Sequence, residues 1–331
     1  MAISKFSLRG SSAVLGLALA AGLALAPAAA RADFPERPLQ LVVPFPAGGA
    51  TDVLGRLVAV ELGKQLGQSV VVENRAGAGT SIGATYAARA KPDGYTLLFT
   101  STTTFTINPA IYPNLAYDPP KSFEGIGQVG STGLMLLANP KAPASDMAQF
   151  VEQAKAKPGE VFYGSFGAGT TAHFAAEILA AAAGVKLSHV PYKGSSPAMT
   201  DLIGGQIPYS VDTTAAAVPQ VKAGTVKAIV TTAATRSKLL PDVPTAAESG
   251  YPDVKMDTWL ALVAPRGLPA EVRRKLEQAL AAVVADPQVQ QKMIENGFEP
   301  DYASGAQVDV RIVKDMPAMK AVAAKAGIQA N

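Results

Sequence analysis

Residues 39–52 read LQLVVPFPAGGATD, and they set the pattern for most of the chain. The first five are mostly apolar, which predicts a short buried β-strand. Apolar residues then recur at helical spacing as far as Leu66, so a helix follows, with Thr51 or Asp52 able to cap its start and Gly67 suited to end it. The stretch is therefore a strand, a glycine-containing loop and a helix, a unit typical of α/β proteins.

The same unit repeats along the chain. Further strands are expected at 70–72, 95–100, 134–138, 161–165, 187–190, 208–211 and 226–231, and further helices at 80–90, 145–157, 170–183, 195–203 and 216–223. This alternation predicts an α/β fold with parallel sheets that carry helices on both faces. After residue 256 the pattern changes to a strand at 258–263, a helix at 269–285 and two short helical patterns. Such a tail predicts that the chain crosses between two domains more than once, through hinges.

The first 32 residues have the three parts of a secretory signal peptide. Lys5 and Arg9 give a basic start, residues 13–26 are almost entirely Ala, Leu, Val and Gly, and residues 30–32 form a small-x-small cleavage site. The apolar run of about 14 residues is short of the roughly 20 that span a bilayer, so a retained membrane anchor is the weaker alternative. We expect cleavage near Ala32 and export of the mature protein.

Composition excludes several classes of function. The chain has 29 Lys and Arg against 26 Asp and Glu, but three of the basic residues and no acidic residue lie within residues 1–32, so the mature protein is formally neutral. Because no basic run remains, we expect no nucleic-acid partner. Two histidines and no cysteine leave few ligands for a transition metal and no disulfide framework. We therefore predict neither a metal site nor a cofactor.

Open α/β sheets bind ligands beyond the carboxyl ends of their strands, and five loops of this chain carry candidate residues there. The first loop offers Phe45, Ala47, Gly48, Gly49, Thr51 and Asp52. Its paired glycines let a ligand approach the main chain, and the N–H groups at the following helix start favour an anion. An ordinary tight turn capped by Asp52 accounts for the same residues equally well, because such turns are common in this architecture.

The second loop offers Gly167, Ala168, Gly169, Thr170, Thr171 and His173. Gly167, Gly169 and Ala172 also match the G-x-G-x-x-G/A fingerprint of dinucleotide-binding proteins. That fingerprint requires an acidic residue about 20 positions later, whereas none lies between Glu177 and Asp201. The threonine hydroxyls and the helix start suit a carboxylate better, so a dinucleotide-dependent enzyme is the remote alternative.

The remaining loops offer Tyr192, Lys193 and Gly194, then Asp212 and Thr213, and finally Ser101 and Thr102. Lys193 is either a ligand contact or a solvated charge, and Asp212 either accepts a hydrogen bond from a ligand amine or caps a helix. His173 and His189 are the only imidazoles, and no serine lies in a G-x-S-x-G motif. We expect no nucleophile–base pair, so the protein is predicted to be non-catalytic.

Seven longer motifs extend over the whole mature chain. They are FPERPL at 34–39, VPFPAGGATD at 43–52, VENRAGAG at 72–79, PDGYTL at 92–97, INP at 107–109, HVPYKGS at 189–195 and LPDVPT at 240–245. In this order they resemble the Bug family, the periplasmic solute-binding proteins of tripartite tricarboxylate transporters. The chain departs from many members of that family at Thr170 and Thr171, which replace a serine pair, and at Phe166. A particular relative's ligand therefore does not transfer to it.

The resemblance implies a two-lobed periplasmic-binding-protein fold of type II, the Venus flytrap, with a hinge and parallel-rich sheets. Lobe 1 would comprise residues 33–132 and 256–331, and lobe 2 residues 133–255. The loop at 45–52 would hold a ligand carboxylate, partly through ordered water. The loop at 167–173, with residues 192–194 and 212–213, would close over the other end of the ligand.

The function implied is the capture of a small organic acid in the periplasm by a monomer. The acid would be a di- or tricarboxylate, an acidic amino acid or an aromatic acid, and it would be delivered to a membrane permease made of separate chains. The alternative is a role as the ligand-presenting partner of a membrane sensor kinase. Valine at Gly48 or at Gly169 is expected to abolish binding and leave the fold largely intact.

Overall fold

The computed structural model describes residues 1–2 and 33–329, so the expected signal peptide lies outside the described residues beyond Ala2. From Arg37 onwards the described chain forms one compact unit, separate from Met1–Glu36. None of the described helices combines the length and the apolar character needed to cross a membrane.

Ten strands and eleven α-helices make up the described fold. The strands are β1 (Leu39–Val43), β2 (Val70–Asn74), β3 (Thr96–Ser101), β4 (Phe123–Ala138), β5 (Phe162–Ser165), β6 (Ser188–Pro191), β7 (Tyr209–Thr213), β8 (Lys227–Thr231), β9 (Asp257–Pro265) and β10 (Glu299–Ser304). The helices are α1 (Ala50–Leu66), α2 (Ser81–Ala88), α3 (Asn108–Ile111), α4 (Pro119–Ser122), α5 (Met147–Ala156), α6 (Thr171–Ala183), α7 (Ser195–Gly204), α8 (Thr214–Lys222), α9 (Ala270–Ala285), α10 (Pro287–Glu295) and α11 (Gly305–Ala326).

The strands hydrogen-bond into one sheet in the order β2-β1-β3-β9-β4-β7-β5-β6, and β8 and β10 also pair with β4. The pairs of β1 with β2 and β3, and of β5 with β6 and β7, are parallel, as predicted. The central strands β4 and β9 are antiparallel to each of their described neighbours, which the sequence pattern did not predict. We call β1, β2, β3, β9, β10 and the start of β4 the first half of the sheet, and β5, β6, β7, β8 and the end of β4 the second half.

Strand β4 joins the two halves. Gly133 is its last residue paired with β9, and Leu134 is its first residue paired with β7. Only 134–138 was predicted, because glycines interrupt the apolar pattern of the preceding part. Those glycines are required by packing: a Cβ on Gly125 would lie 2.3 Å from the carbonyl oxygen of Gly305, and one on Gly130 would lie 2.5 Å from that of Glu299. Because glycines have no side chain, they admit the neighbouring backbone but give no apolar signal. The sequence pattern therefore did not reveal this part of the strand.

The end of the chain also differs from the prediction of two short helical patterns. The edge strand β10 precedes α11, a helix of 22 residues that begins with a capping box between Ser304 and Gln307. β10 was missed because its residues are mostly polar and none of them is fully buried. Along α11, Val308 and Ile312 lie in the hydrophobic core of the first half, whereas Ala323 lies in that of the second half. The helix therefore packs against both halves.

Residues 103–111 reach from the first half of the sheet into the core of the second. They follow β3 as a π-helical turn, Thr103–Ile107, and the short helix α3. Ile107 and Ile111 pack in the same cluster as Phe174 of α6. The two halves therefore share apolar contacts as well as strand β4.

Candidate functional site

Asp52, which lies in the first turn of α1, fixes the shape of the loop after β1. Its carboxylate accepts hydrogen bonds from Gly48 N at 2.9 Å, Arg56 Nε at 2.9 Å and Asn74 Nδ2 at 2.8 Å. Burial alone would raise the pKa of Asp52, but the hydrogen bonds from Arg56, Gly48 and Asn74 outweigh it and hold the pKa below its ordinary value. Gly49, not Thr51 or Asp52, is the N-cap of α1, so the predicted cap was wrong, while Gly67 ends the helix as predicted.

Because Gly49 has no side chain, the first N–H groups of α1 lack a cap. Among the described residues, no acceptor takes the N–H of Ala50 or that of Thr51. Gly48, with φ of +79°, turns the chain just before these groups, and Asp52 fixes that turn by accepting from Gly48 N. The start of a helix carries a partial positive charge, so the arrangement favours an anion.

Ala50 and Thr51, which carry these N–H groups, line a cleft between the two halves of the sheet. Its lining comprises Phe45, Pro46, Gly49, Ala50 and Thr51 from the first half and Phe166, Ser195, Asp212 and Thr213 from the second. The cleft measures about 310 Å³, counting the part open to solvent, and about 30 Å³ of it admits a whole water molecule. None of the described residues that line it is Lys, Arg or His. Any anion bound there must therefore rely on main-chain N–H groups and hydroxyls.

Asp212 is the one charged residue in that lining. It lies at the end of β7 with 1% of its surface exposed, and it accepts hydrogen bonds from Ser195 Oγ at 2.6 Å and from Thr213 N at 2.7 Å. Burial raises the pKa of the carboxyl to about 6, although Ser195 and Thr213 act in the opposite direction. Thr213, not Asp212, caps α8, by accepting from Ala216 N at 3.2 Å.

The second glycine loop is arranged differently. Gly167 N donates to Ser165 Oγ at 3.1 Å, Gly169 N donates to His173 Nδ1 at 3.1 Å, and Thr171 N donates to Thr103 Oγ1 at 3.3 Å. The Thr170 hydroxyl donates to Gly167 O at 2.7 Å. Of the residues around this loop, only Phe166 lines the cleft. The donors that were expected to hold a carboxylate are thus largely engaged within the chain.

The two histidines lie behind the second loop. Their rings stack at 4.0 Å, and His189 Nε2 is 2.7 Å from Ser165 Oγ. Burial lowers the pKa of His173 to about 4 and that of His189 to about 3, so both are neutral at pH 7. The contact between Ser165 and His189 was not foreseen from the sequence. Ser165 is fully buried, so it cannot meet a substrate, and the contact holds the loop in place.

The other predicted residues lie outside the lining of the cleft. Thr102 is buried and its Oγ1 accepts from Trp259 N at 3.0 Å, and Ser101 is buried beside it. Tyr192 donates to Asp201 at 2.7 Å, and Lys193 is exposed. Gly194 lies close to the first loop, because a Cβ there would be 2.6 Å from Pro46 Cγ.

Four further lining residues lie in the predicted loops but were not among the predicted contacts: Pro46, Ala50, Phe166 and Ser195. Of these, Phe166 had been noted as a departure from the family. Each is adjacent in sequence to a predicted residue, so the loops were located correctly. The sequence alone could not show that the two halves of the sheet meet here, and this meeting brings the four residues to one cleft. Ala50 and Ser195 also line a neighbouring groove of about 850 Å³, open solvent included, with Gly48 and Ser196. That groove offers an approach to the cleft.

Comparison with known proteins identifies the family. Residues 54–328 match the model described as "Tripartite tricarboxylate transporter family receptor". The chain belongs to this family. Protein BugT of Bordetella pertussis is 34% identical over 296 residues, which cover 89% of this chain and 90% of BugT. The predicted membership of the Bug family of receptors is therefore confirmed.

Solved structures of relatives confirm the fold. The structure of periplasmic binding protein BugD matches with a TM-score of 0.85 at 37% identity, over 89% of this chain and 99% of that one. The structure of Rpa4515 of R. palustris, solved with adipate, matches with a TM-score of 0.87 at 33% identity, over 90% of this chain and 99% of that one. The α/β fold is thus the two-lobed fold of periplasmic binding proteins, as expected.

Proposed function

We propose that this solute-binding receptor holds a small organic acid in the cleft lined by Phe45, Gly49, Thr51, Asp212 and Thr213. The observation that carries the proposal is the pair of N–H groups on Ala50 and Thr51, which lack a partner in the described chain and belong to residues that line the cleft. A carboxylate oxygen would accept from these groups, and the Thr51 hydroxyl would add a third donor. Adipate in Rpa4515 supports a carboxylate as the ligand.

The lobes of the proposed receptor follow the change of strand partners in the sheet. Lobe 1 would comprise residues 33–132 and 256–331, and lobe 2 residues 133–255, with the hinge where β4 passes from β9 to β7. Because only about 30 Å³ of the cleft admits water, a ligand must enter while the lobes are further apart. Closure on the acid would then bring Phe166 and Ser195 against it. In this mechanism the protein binds and releases its solute unchanged, as a non-catalytic monomer.

The setting is the periplasm, which the mature protein would reach after cleavage near Ala32. The closed, loaded receptor would then present the acid to a membrane permease formed by separate chains. A membrane sensor kinase is the alternative partner for the same closed form. Deletion of the gene separates the two: loss of uptake of the acid supports the permease, whereas loss of induction with intact uptake supports the sensor.

A dinucleotide-dependent enzyme finds less support. That alternative rests on Gly167, Gly169 and Ala172. The N–H groups of the two glycines donate to Ser165 and His173, so they are not available to a pyrophosphate.

The proposal is tested by removing one main-chain donor with proline. Ala50 is the first residue of α1, where proline is well tolerated, and Gly49 before it has the extended conformation (φ −79°, ψ 166°) that a following proline requires. Because a hydrogen bond to a charged group contributes roughly 1.5–3 kcal/mol, Ala50→Pro should weaken carboxylate binding by about 10- to 100-fold. Titration calorimetry of residues 33–331 with the acids that stabilise the protein in a thermal-shift screen measures this loss.

The matched control is Ala270→Pro. Ala270 is exposed and is likewise the first residue of a helix, α9, after the extended residue Pro269. It should leave both binding and thermal stability unchanged. Equal affinity of Ala50→Pro and wild type would refute the placement of the carboxylate at α1, and a screen in which no organic acid binds would refute the receptor function itself.

A further inference from the structure

We infer that the cleft selects an aromatic monocarboxylate that carries a hydroxyl or amino group on the side of the ring opposite its carboxylate. The inference rests on the proposed function and narrows the class of acid. It stands on three features of the cleft: a single open anion position on the first half, a buried acceptor on the second half, and one phenyl ring in the lining from each half.

The anion position on the second half is already filled by the protein. Asp212 lies where α7 and α8 begin, and it accepts from Ser195, the first residue of α7, and from the N–H of Thr213, the cap of α8. The positive ends of two helices thus act on a carboxylate that belongs to the chain. A second ligand carboxylate would have to lie against Asp212, and no cationic side chain in the lining would offset the repulsion.

Asp212 is suited to accept a further hydrogen bond. An ionised carboxylate offers about four acceptor sites. In the described chain Oδ2 accepts from Ser195, and Oδ1 accepts from Thr213 N and, at 3.4 Å, from the Thr213 hydroxyl. One acceptor site on Oδ2 is therefore left without a donor from the described chain. A ligand hydroxyl or amino group can use that site, whereas a ligand carboxylate cannot.

The body of the ligand would lie against the phenyl rings in the lining of the cleft. Phe45 lines the cleft from the first half and Phe166 from the second, and both are partly exposed. Neither ring stacks on another ring of the described chain, unlike the buried pair Phe105 and Trp259, whose centroids are 4.9 Å apart. Phe166 also packs against the apolar core of the second half, so its ring is fixed in place. A ligand ring in contact with the exposed part of either phenyl gains both apolar burial and stacking, whereas an aliphatic chain gains only burial.

The test compares four acids by titration calorimetry on unmodified residues 33–331: 4-hydroxybenzoate, benzoate, terephthalate and adipate. We expect 4-hydroxybenzoate to bind at least tenfold tighter than benzoate, because its hydroxyl reaches Asp212. Terephthalate has the same ring with a second carboxylate, and adipate has two carboxylates and no ring. Both should bind at least tenfold more weakly than 4-hydroxybenzoate.

The variant Asp212→Asn then assigns the preference to one residue. Asparagine keeps an acceptor for Thr213 N and replaces the second carboxylate oxygen with a donor. The affinity for terephthalate should rise at least tenfold and the advantage of 4-hydroxybenzoate over benzoate should shrink. Asp201→Asn, the same change on α7 at a residue outside the cleft lining, should leave the order of the four acids unchanged.

The outcomes separate this inference from the proposed function. If adipate or terephthalate binds the unmodified protein more tightly than 4-hydroxybenzoate, the inference is overturned and the receptor function stands. If none of the four acids binds but others in a wider acid screen do, the inference is likewise overturned. If no acid of any class binds, the receptor function also fails. The comparison of acids uses the unmodified protein, so it remains decisive even if Asp212→Asn does not fold.

Discussion

Two loops of this protein have similar sequences and different uses. Each follows a parallel strand, contains two glycines with a threonine close behind, and leads into a helix: residues 44–49 before α1 and residues 166–170 before α6. In the first, the N–H groups of Ala50 and Thr51 have no partner in the described chain. In the second, the N–H groups of Gly167, Gly169 and Thr171 all donate within the chain.

The contrast shows what a glycine loop before a helix does and does not imply. Such a loop supplies donors in both cases. Whether those donors can serve a ligand depends on the acceptors around the loop, here Ser165 and His173 close in sequence and Thr103 far from it. In the first loop, Asp52 accepts from Gly48 N and fixes the turn, while the N–H groups of Ala50 and Thr51 have no partner in the described chain. The second loop is instead packed between the two halves of the sheet, in contact with Thr103 and Ile111.

The largest expected effect is at Gly169, with φ of +66°, where a Cβ would lie 2.1 Å from Ile111 Cδ1. Left-handed strain of about 1–2 kcal/mol and overpacking of about 1–3 kcal/mol should together lower the free energy of unfolding of Gly169→Val by about 3 kcal/mol. Urea denaturation measures it. The structure therefore favours a loss of stability at this position, where the sequence alone suggested a loss of binding.

Gly159→Val is the control for that variant. Gly159 has a similar φ of +80° and no atom within 4 Å of a Cβ, so only the strain should remain. Equal losses of stability in the two variants would mean that the second loop is not packed against Ile111, and the contrast between the loops would be lost.

A smaller effect is expected from the pH dependence of His173. Burial lowers its pKa to about 4, whereas the unfolded value is about 6.5. The unfolded state therefore binds more protons between these values, and the stability contributed by neutral His173 is present above pH 6.5 and is lost as the pH falls towards 4. Relative to His173→Asn, whose amide oxygen can still accept from Gly169 N, wild type should lose about 2 kcal/mol of unfolding free energy between pH 7 and pH 5. Parallel stability curves for the two proteins would contradict a buried histidine behind this loop.

The smallest expected effect on stability is at Gly48, in the first loop. Its φ is +79°, but the nearest atom to a Cβ there is Ser196 Oγ at 3.8 Å. Gly48→Ala should therefore cost only the strain, about 1 kcal/mol, similar to Gly184→Ala at φ of +65° with open space around it. Ligand affinity should fall in Gly48→Ala alone, since only that glycine orients the start of α1. Unfolding curves and calorimetry on both variants distinguish the two effects, and an unchanged affinity would count against the first loop as the site.

Local sequence patterns predicted the parts of the fold in which each residue has a single structural role. The β–loop–α units were placed within a few residues, because their strands are continuous apolar runs and their helices end at glycines such as Gly67. Strand β4 was mostly missed because its glycines serve the packing of other segments, and β10 because it is a polar edge. The π-helical turn at Thr103–Ile107 was not predicted, since only Ser101 and Thr102 before it were singled out and its buried position depends on distant residues such as Trp259.

The residues of the candidate cleft likewise fall into two groups, those that a local sequence signal located and those that it did not. The first loop was found from its own residues, since glycines before a helix start are a local signal. The loops that carry Phe166 and Ser195 were found in the same way, but these two residues were not predicted as contacts, because they join the cleft only through the approach of the other half of the sheet. Nor could the sequence reveal that Thr171 bonds to Thr103 and to Thr258, residues far away along the chain.

Strand β4 also constrains how this molecule can evolve. Because side chains alternate between faces along a strand, deletion of a single residue in it would exchange inward and outward positions beyond that point. Pairing with β9 or with β7 would then be disturbed, since the two halves use successive parts of one sixteen-residue strand. Neither half can be inherited as an independent module or exchanged between genes by a simple cut.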